Sequence, residues 1–296
     1  MSDADPTYEG RPLPRPRDEV VDQGLGFDVA TLFTRRRALR LFGVGAAGAV
    51  LTACGTVSGG STTTSATTTA SAAPGEIPDE TAGPYPGDGS NGPDVLEQSG
   101  VVRSDIRSSF GTGSVTAEGV PMTLELVVAD LANGGSPFAG AAVYVWHCNR
   151  AGQYSLYSDG VENENYLRGV QIADAAGKVR FSSIFPACYD GRWPHIHFEV
   201  YPGQADITDS TKAIATSQVA LPRNVCETVY AQPGYEQSVS NLEKVDLSSD
   251  NVFGDDSGAL QLATVTGDVT GGFTVTLNVG VNRGNARGPS RTATTS

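Results

Sequence analysis

From Pro78 to Val281 the chain is cut into short alternating segments by Gly, Pro, Asn and Asp, and no long amphipathic helix interrupts them. Short runs of period two between turn residues mark half-buried strands, so this texture restricts the chain to an all-β, sheet-on-sheet architecture. Thr123-Leu124-Glu125-Leu126-Val127-Val128 places Leu124, Leu126 and Val128 on one face. Asn133-Gly134-Gly135 then turns the chain into a more apolar strand over residues 141–147. After a loop over 148–167, residues 169–172 and 179–184 read as a hairpin, 213–221 as a further strand, and 260–266 with 273–279 as a closing hairpin. Residues 223–231 and 236–244 read as short helical turns. Glu80-Thr81-Ala82-Gly83-Pro84-Tyr85-Pro86 is punctuated by two prolines and a glycine and reads as an extended arm. The expected fold is a single β-sandwich domain over 78–281 with little helix, followed by a disordered tail over 282–296.

The first 77 residues have a different texture. Arg35-Arg36-Arg37 leads into an apolar run, 41–53, too short to cross a bilayer of about 30 Å as a helix but suited to a signal-peptide core. The pattern resembles a twin-arginine export signal, and Leu51-Thr52-Ala53-Cys54 looks like a lipobox whose cysteine is acylated. Residues 1–53 therefore read as a signal and 54–77 as a Ser/Thr/Ala-rich tether, with the membrane reached only through a lipid on Cys54. Export implies an oxidising compartment, where Cys148, Cys188 and Cys226 arithmetically give one disulfide and one leftover thiol; all three pairings stay open. A net charge of −13 argues against nucleic acid or an anionic membrane surface as partner and serves solubility.

Chemistry collects around Tyr189-Asp190-Gly191-Arg192-Trp193-Pro194-His195-Ile196-His197-Phe198-Glu199-Val200. On a strand, His195 and His197 point one way and Ile196 and Phe198 the other, so two imidazoles converge on one point. Taken alone, the pair is either half of a metal site or two hydrogen-bonded histidines at a sheet edge. Tyr154 and Tyr189 add two phenols, hard oxygen donors that favour Fe(III), and Arg192 adds a fixed positive charge. His147 reads as structural, and Trp146 and Trp193 as packing.

Gly83-Pro84-Tyr85, Arg103-Ser104-Asp105-Ile106, Trp146-His147 followed by Gly152-x-Tyr154-Ser155, Leu167-Arg168-Gly169, and Tyr189 to His197 together resemble the intradiol ring-cleavage dioxygenases over residues 80–221. That resemblance implies a β-sandwich enzyme with non-haem Fe(III) that opens catechol-type diols with O₂, between the hydroxylated carbons, to muconate-type diacids. It implies Tyr154 and His195 as equatorial ligands, Tyr189 and His197 as axial ones, Tyr189 being displaced by substrate and accepting its proton. Arg192 corresponds to the active-site arginine and Gln218 to a glutamine near the substrate. The chain lacks the helical dimerisation segment of the catechol and hydroxyquinol enzymes, so neither oligomeric state nor ring substituent follows from the resemblance. The competing reading is a non-catalytic lipoprotein binding copper or zinc through the two histidines, or a carbohydrate through exposed aromatics.

Overall fold

The computed structural model describes residues 75–285, and the backbone of a two-residue antiparallel ladder between Thr7–Tyr8 and Arg11–Pro12. Apart from those four residues, the expected signal over 1–53 lies outside the described residues, as do Cys54, nearly all of the expected tether and most of the expected tail. No helix among the described residues is long and apolar enough to cross a membrane.

Nine strands build a sandwich of two sheets within the unit Ala73–Ser296. They are β1 (Pro121–Asp130), β2 (Ser136–Pro137), β3 (Ala142–Trp146), β4 (Arg168–Ile172), β5 (Lys178–Ile184), β6 (His195–Tyr201), β7 (Ala215–Ala220), β8 (Thr264–Asp268) and β9 (Gly272–Val281). Two short helices, α1 (Arg223–Tyr230) and α2 (Glu236–Leu242), follow β7. The first sheet runs β8-β9-β1 with β5 and the short β2 both paired to β1; the second runs β4-β3-β6-β7 and is antiparallel throughout.

Alternation places the core. Met122, Leu124, Leu126 and Val128 of β1 and Phe273, Val275, Leu277 and Val279 of β9 face Val143, Val145, Ile196, Phe198, Val200 and Val219 of the second sheet. Each such side chain taken from water contributes roughly 1.5–3 kcal/mol, which holds the two layers face to face. The closing hairpin forms as expected from Thr264↔Thr276 to Asp268↔Gly272. Its second strand lies parallel to β1, from Phe273↔Met122 to Val281↔Asp130, a pairing between chain ends that no local pattern announces.

Two expectations are corrected. The segments 169–172 and 179–184 are not partners in one hairpin, because β4 pairs with β3 and β5 with β1, in different sheets. Period-two alternation states which face is buried but not which neighbour supplies the hydrogen bonds, and the chain changes sheets at the turn Asp174–Gly177. The expected disulfide is absent too, since Cys148, Cys188 and Cys226 are all free and buried. Cys148 Sγ points at the Ala187 carbonyl (3.7 Å) and Cys188 Sγ at the Arg192 carbonyl (3.5 Å), so the thiols serve as small buried side chains with weak backbone contacts.

Beyond the core, the outer face of the second sheet is also covered. The chain leading into the arm pairs Glu76 with Gly280 of the first sheet and then crosses to the second, where Glu80 N–H donates to the Thr216 carbonyl at 2.7 Å and Val102 bridges Val170. Together with the 148–167 loop it buries Tyr144, Trp146 and Tyr201 against Val95, Leu96 and Val101.

Candidate metal centre

Every residue of β6 is buried. Ile196, Phe198 and Val200 enter the inter-sheet core, which forces His195, His197, Glu199 and Tyr201 onto the opposite face, beneath the arm and the loop. Tyr154 reaches the same place from the loop. Asn149 Oδ1 accepts from the N–H of Ala151 (2.9 Å) and Gln153 (3.0 Å), and Ser158 Oγ accepts from Tyr154 N–H (2.9 Å), so local side-chain turns set the loop's course. Tyr189 is carried on a segment held by α2, where Cys188 N–H donates to Ser238 Oγ (3.0 Å) and Asn241 Nδ2 to the Cys188 carbonyl (2.9 Å).

Four side chains from three segments meet. His195 Nε2 lies 3.0 Å from His197 Nε2 and 3.2 Å from Tyr189 Oη. The Tyr154 ring stands edge-on to Tyr189 (centroids 5.9 Å) and to His197 (6.2 Å). His195 Nδ1 contacts the Trp193 carbonyl, to which it can only donate, so its Nε2 presents a lone pair. Trp146 stacks on His197 at 4.8 Å and 7°, and Gly83 stands on the same imidazole, where a Cβ would come within 3.2 Å of Cε1.

Burial sets the protonation of this cluster. It lifts Tyr154 well above the ordinary phenol range, reinforced by Tyr189, and lifts Tyr189 to about 12. It lowers His195 to about 3 and His197 well below the ordinary imidazole range. Two neutral imidazoles and two phenols thus share a dry site, and the buried Tyr154 Oη, on a residue 2 % exposed, has no hydrogen-bond partner within 3.5 Å. A buried polar atom without a partner is costly, and converging lone pairs are what a cation would use. No group of three or more His, Cys, Asp or Glu that could hold a metal gathers anywhere among the described residues, and the donors gathered here are two imidazoles and two phenols. The donor chemistry, two phenol oxygens and two imidazole nitrogens, fits a hard ferric ion.

Arg192 is fixed beside the cluster. Its Nε donates to Asp250 Oδ2 (2.9 Å) and Nη2 to Gln218 Oε1 (2.7 Å), while Gln218 Nε2 donates to the Thr81 carbonyl (3.1 Å). Burial opposes the Arg192 charge, but Tyr189 and Asp250 outweigh it and hold the guanidinium above its ordinary range. Burial likewise opposes the Asp250 charge, and Arg192 more than compensates, so that carboxylate lies below its ordinary range. Gln218 is therefore connected to the cluster through Arg192. His147 stands apart, donating from Nδ1 to the Cys148 carbonyl and accepting from Ser183 Oγ at 2.7 Å, and Trp193 Nε1 donates to the Leu221 carbonyl. Sequence reasoning missed Asp250, whose Oδ atoms also take the N–H groups of Trp193, Val252 and Phe253. Nothing in its spacing from Arg192 marks it.

Comparison with known proteins adds an independent line. Residues 91–204 match a family model described as "Dioxygenase", a span that takes in Tyr154, Tyr189, Arg192, His195 and His197 and stops short of Gln218. A catechol 1,2-dioxygenase of Candida albicans is 28% identical over 163 residues, covering 48% of this chain and 52% of that protein. A catechol 1,2-dioxygenase of a Pseudomonas species is 40% identical over 72 residues, covering 24% of this chain and 23% of that protein. The chain thus spans about half the length of the first relative. A solved intradiol ring-cleavage dioxygenase from Tetranychus urticae superposes with a TM-score of 0.56 at 22% identity, over 71% of this chain and 95% of that one, a likeness of fold.

Proposed function

We propose that the chain belongs to the intradiol ring-cleavage dioxygenase family, binds a non-haem ferric ion through Tyr154, Tyr189, His195 and His197, and opens catechol-type diols with O₂ between the hydroxylated carbons; the family-model match and the catechol 1,2-dioxygenase relatives support this reading. The observation that carries the reading is the buried convergence of those four donors around an unpartnered Tyr154 Oη. A ferric ion held by these four residues would supply Lewis-acid chemistry, drawing electron density from the ring of a chelating diol and making a ring carbon reactive toward O₂.

The chain's own residues then divide the work. Tyr189 is only half-buried whereas Tyr154 is 2 % exposed, so Tyr189 is the phenol with room to leave. With Tyr189 raised to about 12, its phenolate is a base strong enough to take a proton from the incoming diol and to keep it on Oη at neutral pH. Arg192, anchored by Asp250 and Gln218, supplies a fixed positive charge that stabilises negative charge developing on the substrate in a dry pocket. The Trp146 face and Gly83 keep His197 in place and exclude water. We further propose export, on the strength of Arg35-Arg36 and Leu51-Thr52-Ala53-Cys54; acyl labelling that survives Cys54→Ser would overturn the lipid anchor.

An oxygen-uptake screen of the iron-loaded protein with catechol, protocatechuate, hydroxyquinol and caffeate-like diols tests the activity. Uptake with at least one diol and a visible tyrosinate band that changes in both Tyr154→Phe and Tyr189→Phe are expected. A colourless protein after iron loading, inert to every diol, would overturn the reading in favour of a non-catalytic binding module.

A further inference from the structure

Arg168 is the most thoroughly enclosed cation among the described residues, with no exposed surface, and its partners are carbonyls and hydroxyls rather than carboxylates. Its Nε donates to Ser155 Oγ (3.1 Å) and Nη2 to the Ser155 carbonyl (2.9 Å); Nη1 donates to the Pro86 carbonyl (2.8 Å) and to Tyr144 Oη (3.1 Å). The hydroxyls are oriented to receive it. Ser155 Oγ gives its own proton to the Tyr166 carbonyl (2.7 Å), and Tyr144 Oη gives its proton to the Pro86 carbonyl (2.6 Å). The guanidinium also lies 5.4 Å over the Tyr157 ring, whose Oη accepts from Gly87 N–H at 2.8 Å. Gly87 leaves the space for this fork, since a Cβ there would stand 2.9 Å from Nη1.

Each end of this fork adjoins the metal cluster. Ser155 follows Tyr154 directly, and Pro86 lies on the arm whose Gly83 rests on His197. A charged, fully desolvated donor commits its acceptors strongly, and only a planar fork with five N–H groups reaches all of them at once. We propose that Arg168 is a positioning residue that ties the Tyr154 loop to the arm over His197, so that the phenol on one segment and the cover on the other hold a single geometry. This inference rests on the ferric reading above for its spectroscopic consequence, though not for the tie itself.

The test uses the full chain, loaded with ferric iron, as wild type, Arg168→Lys, Arg168→Met and Ser155→Ala. In Arg168→Met the Ser155 carbonyl loses its donor. The expected result is a shifted tyrosinate band, roughly 10–100-fold weaker iron binding, and faster amide exchange confined to residues 83–87 and 154–158. Arg168→Lys should recover part of each effect, because one ammonium reaches some of these acceptors and not all. A merely structural role would lower stability without moving the band of the folded, iron-loaded variant. Wild-type band, affinity and exchange in folded Arg168→Met would overturn the proposal. If that variant does not fold, Ser155→Ala decides: a smaller shift in the same direction supports the tie, and no change overturns it. A wild type that takes up no iron would overturn the ferric reading, and the exchange pattern of the apo variants would still decide the tie.

Discussion

His195 and His197 sit two residues apart on one strand yet are held by different forces. The first is oriented by a hydrogen bond from Nδ1 to the Trp193 carbonyl, the second by stacking on Trp146 and by the missing side chain of Gly83, which adopts φ +72. Gly83→Ala should therefore cost about 1–2 kcal/mol in backbone strain and also weaken iron binding by pressing on Cε1, measured by chemical unfolding and by iron titration. An alanine that cost stability but left iron binding intact would show that His197 does not depend on this contact. A third histidine offers a pH test away from the cluster. Burial lowers His147 to about 4 from an ordinary value near 6.5, so the neutral ring is favoured in the fold. The stability this gives is complete above pH 6.5 and is lost as pH falls toward 4, on the order of 3 kcal/mol across that window. Urea unfolding of the apo protein at pH 7, 6 and 5 should show a shallower acid-side loss in His147→Gln than in wild type. The candidate donors were readable because Tyr154, Tyr189, His195 and His197 stand in the order that the family resemblance implies, whereas the packing that orients each ring is not written in that order.

Among the elements, β6 was legible because its alternation is strict. The segment after α2 was not. Asp250 fixes Arg192 by a side chain with no exposed surface and also takes three backbone N–H groups, so one carboxylate both folds its own turn and aims the arginine. Asp250→Asn keeps an acceptor for the turn but strips the opposing charge. Breaking a buried pair in this way commonly costs about 3–5 kcal/mol, and on the proposed reading kcat should fall well beyond any change in KM. Steady-state kinetics of the iron-loaded variant would check this; an unaltered kcat would remove Arg192's orientation from the account. The separation of β4 and β5 into different sheets has the same origin as the hidden role of Asp250. Both depend on partners distant in sequence, and alternation or spacing constrains only a residue's own strand.

At the scale of the whole molecule, the three described cysteines report on the sandwich itself. Burial pushes Cys148 and Cys188 up to about 12 and Cys226 higher, so none is a reactive thiolate in the native state. A thiol reagent should leave all three unmodified in the folded protein and modify all three in denaturant without any reductant; a requirement for reductant would restore the disulfide. The amino-acid sequence by itself determined the all-β class and the faces of β1 and β6, and it singled out Tyr154, Tyr189, His195 and His197 as the candidate donors, because side-chain alternation and residue chemistry are local properties. Only the tertiary structure decided the sheet partners, the parallel join of β9 to β1, the free thiols, and the Asp250 and Arg168 networks that aim the site. Those depend on which distant segments share a hydrogen bond or a buried charge, and His195-x-His197 becomes a four-donor cluster only when the sandwich brings Tyr154 and Tyr189 to it.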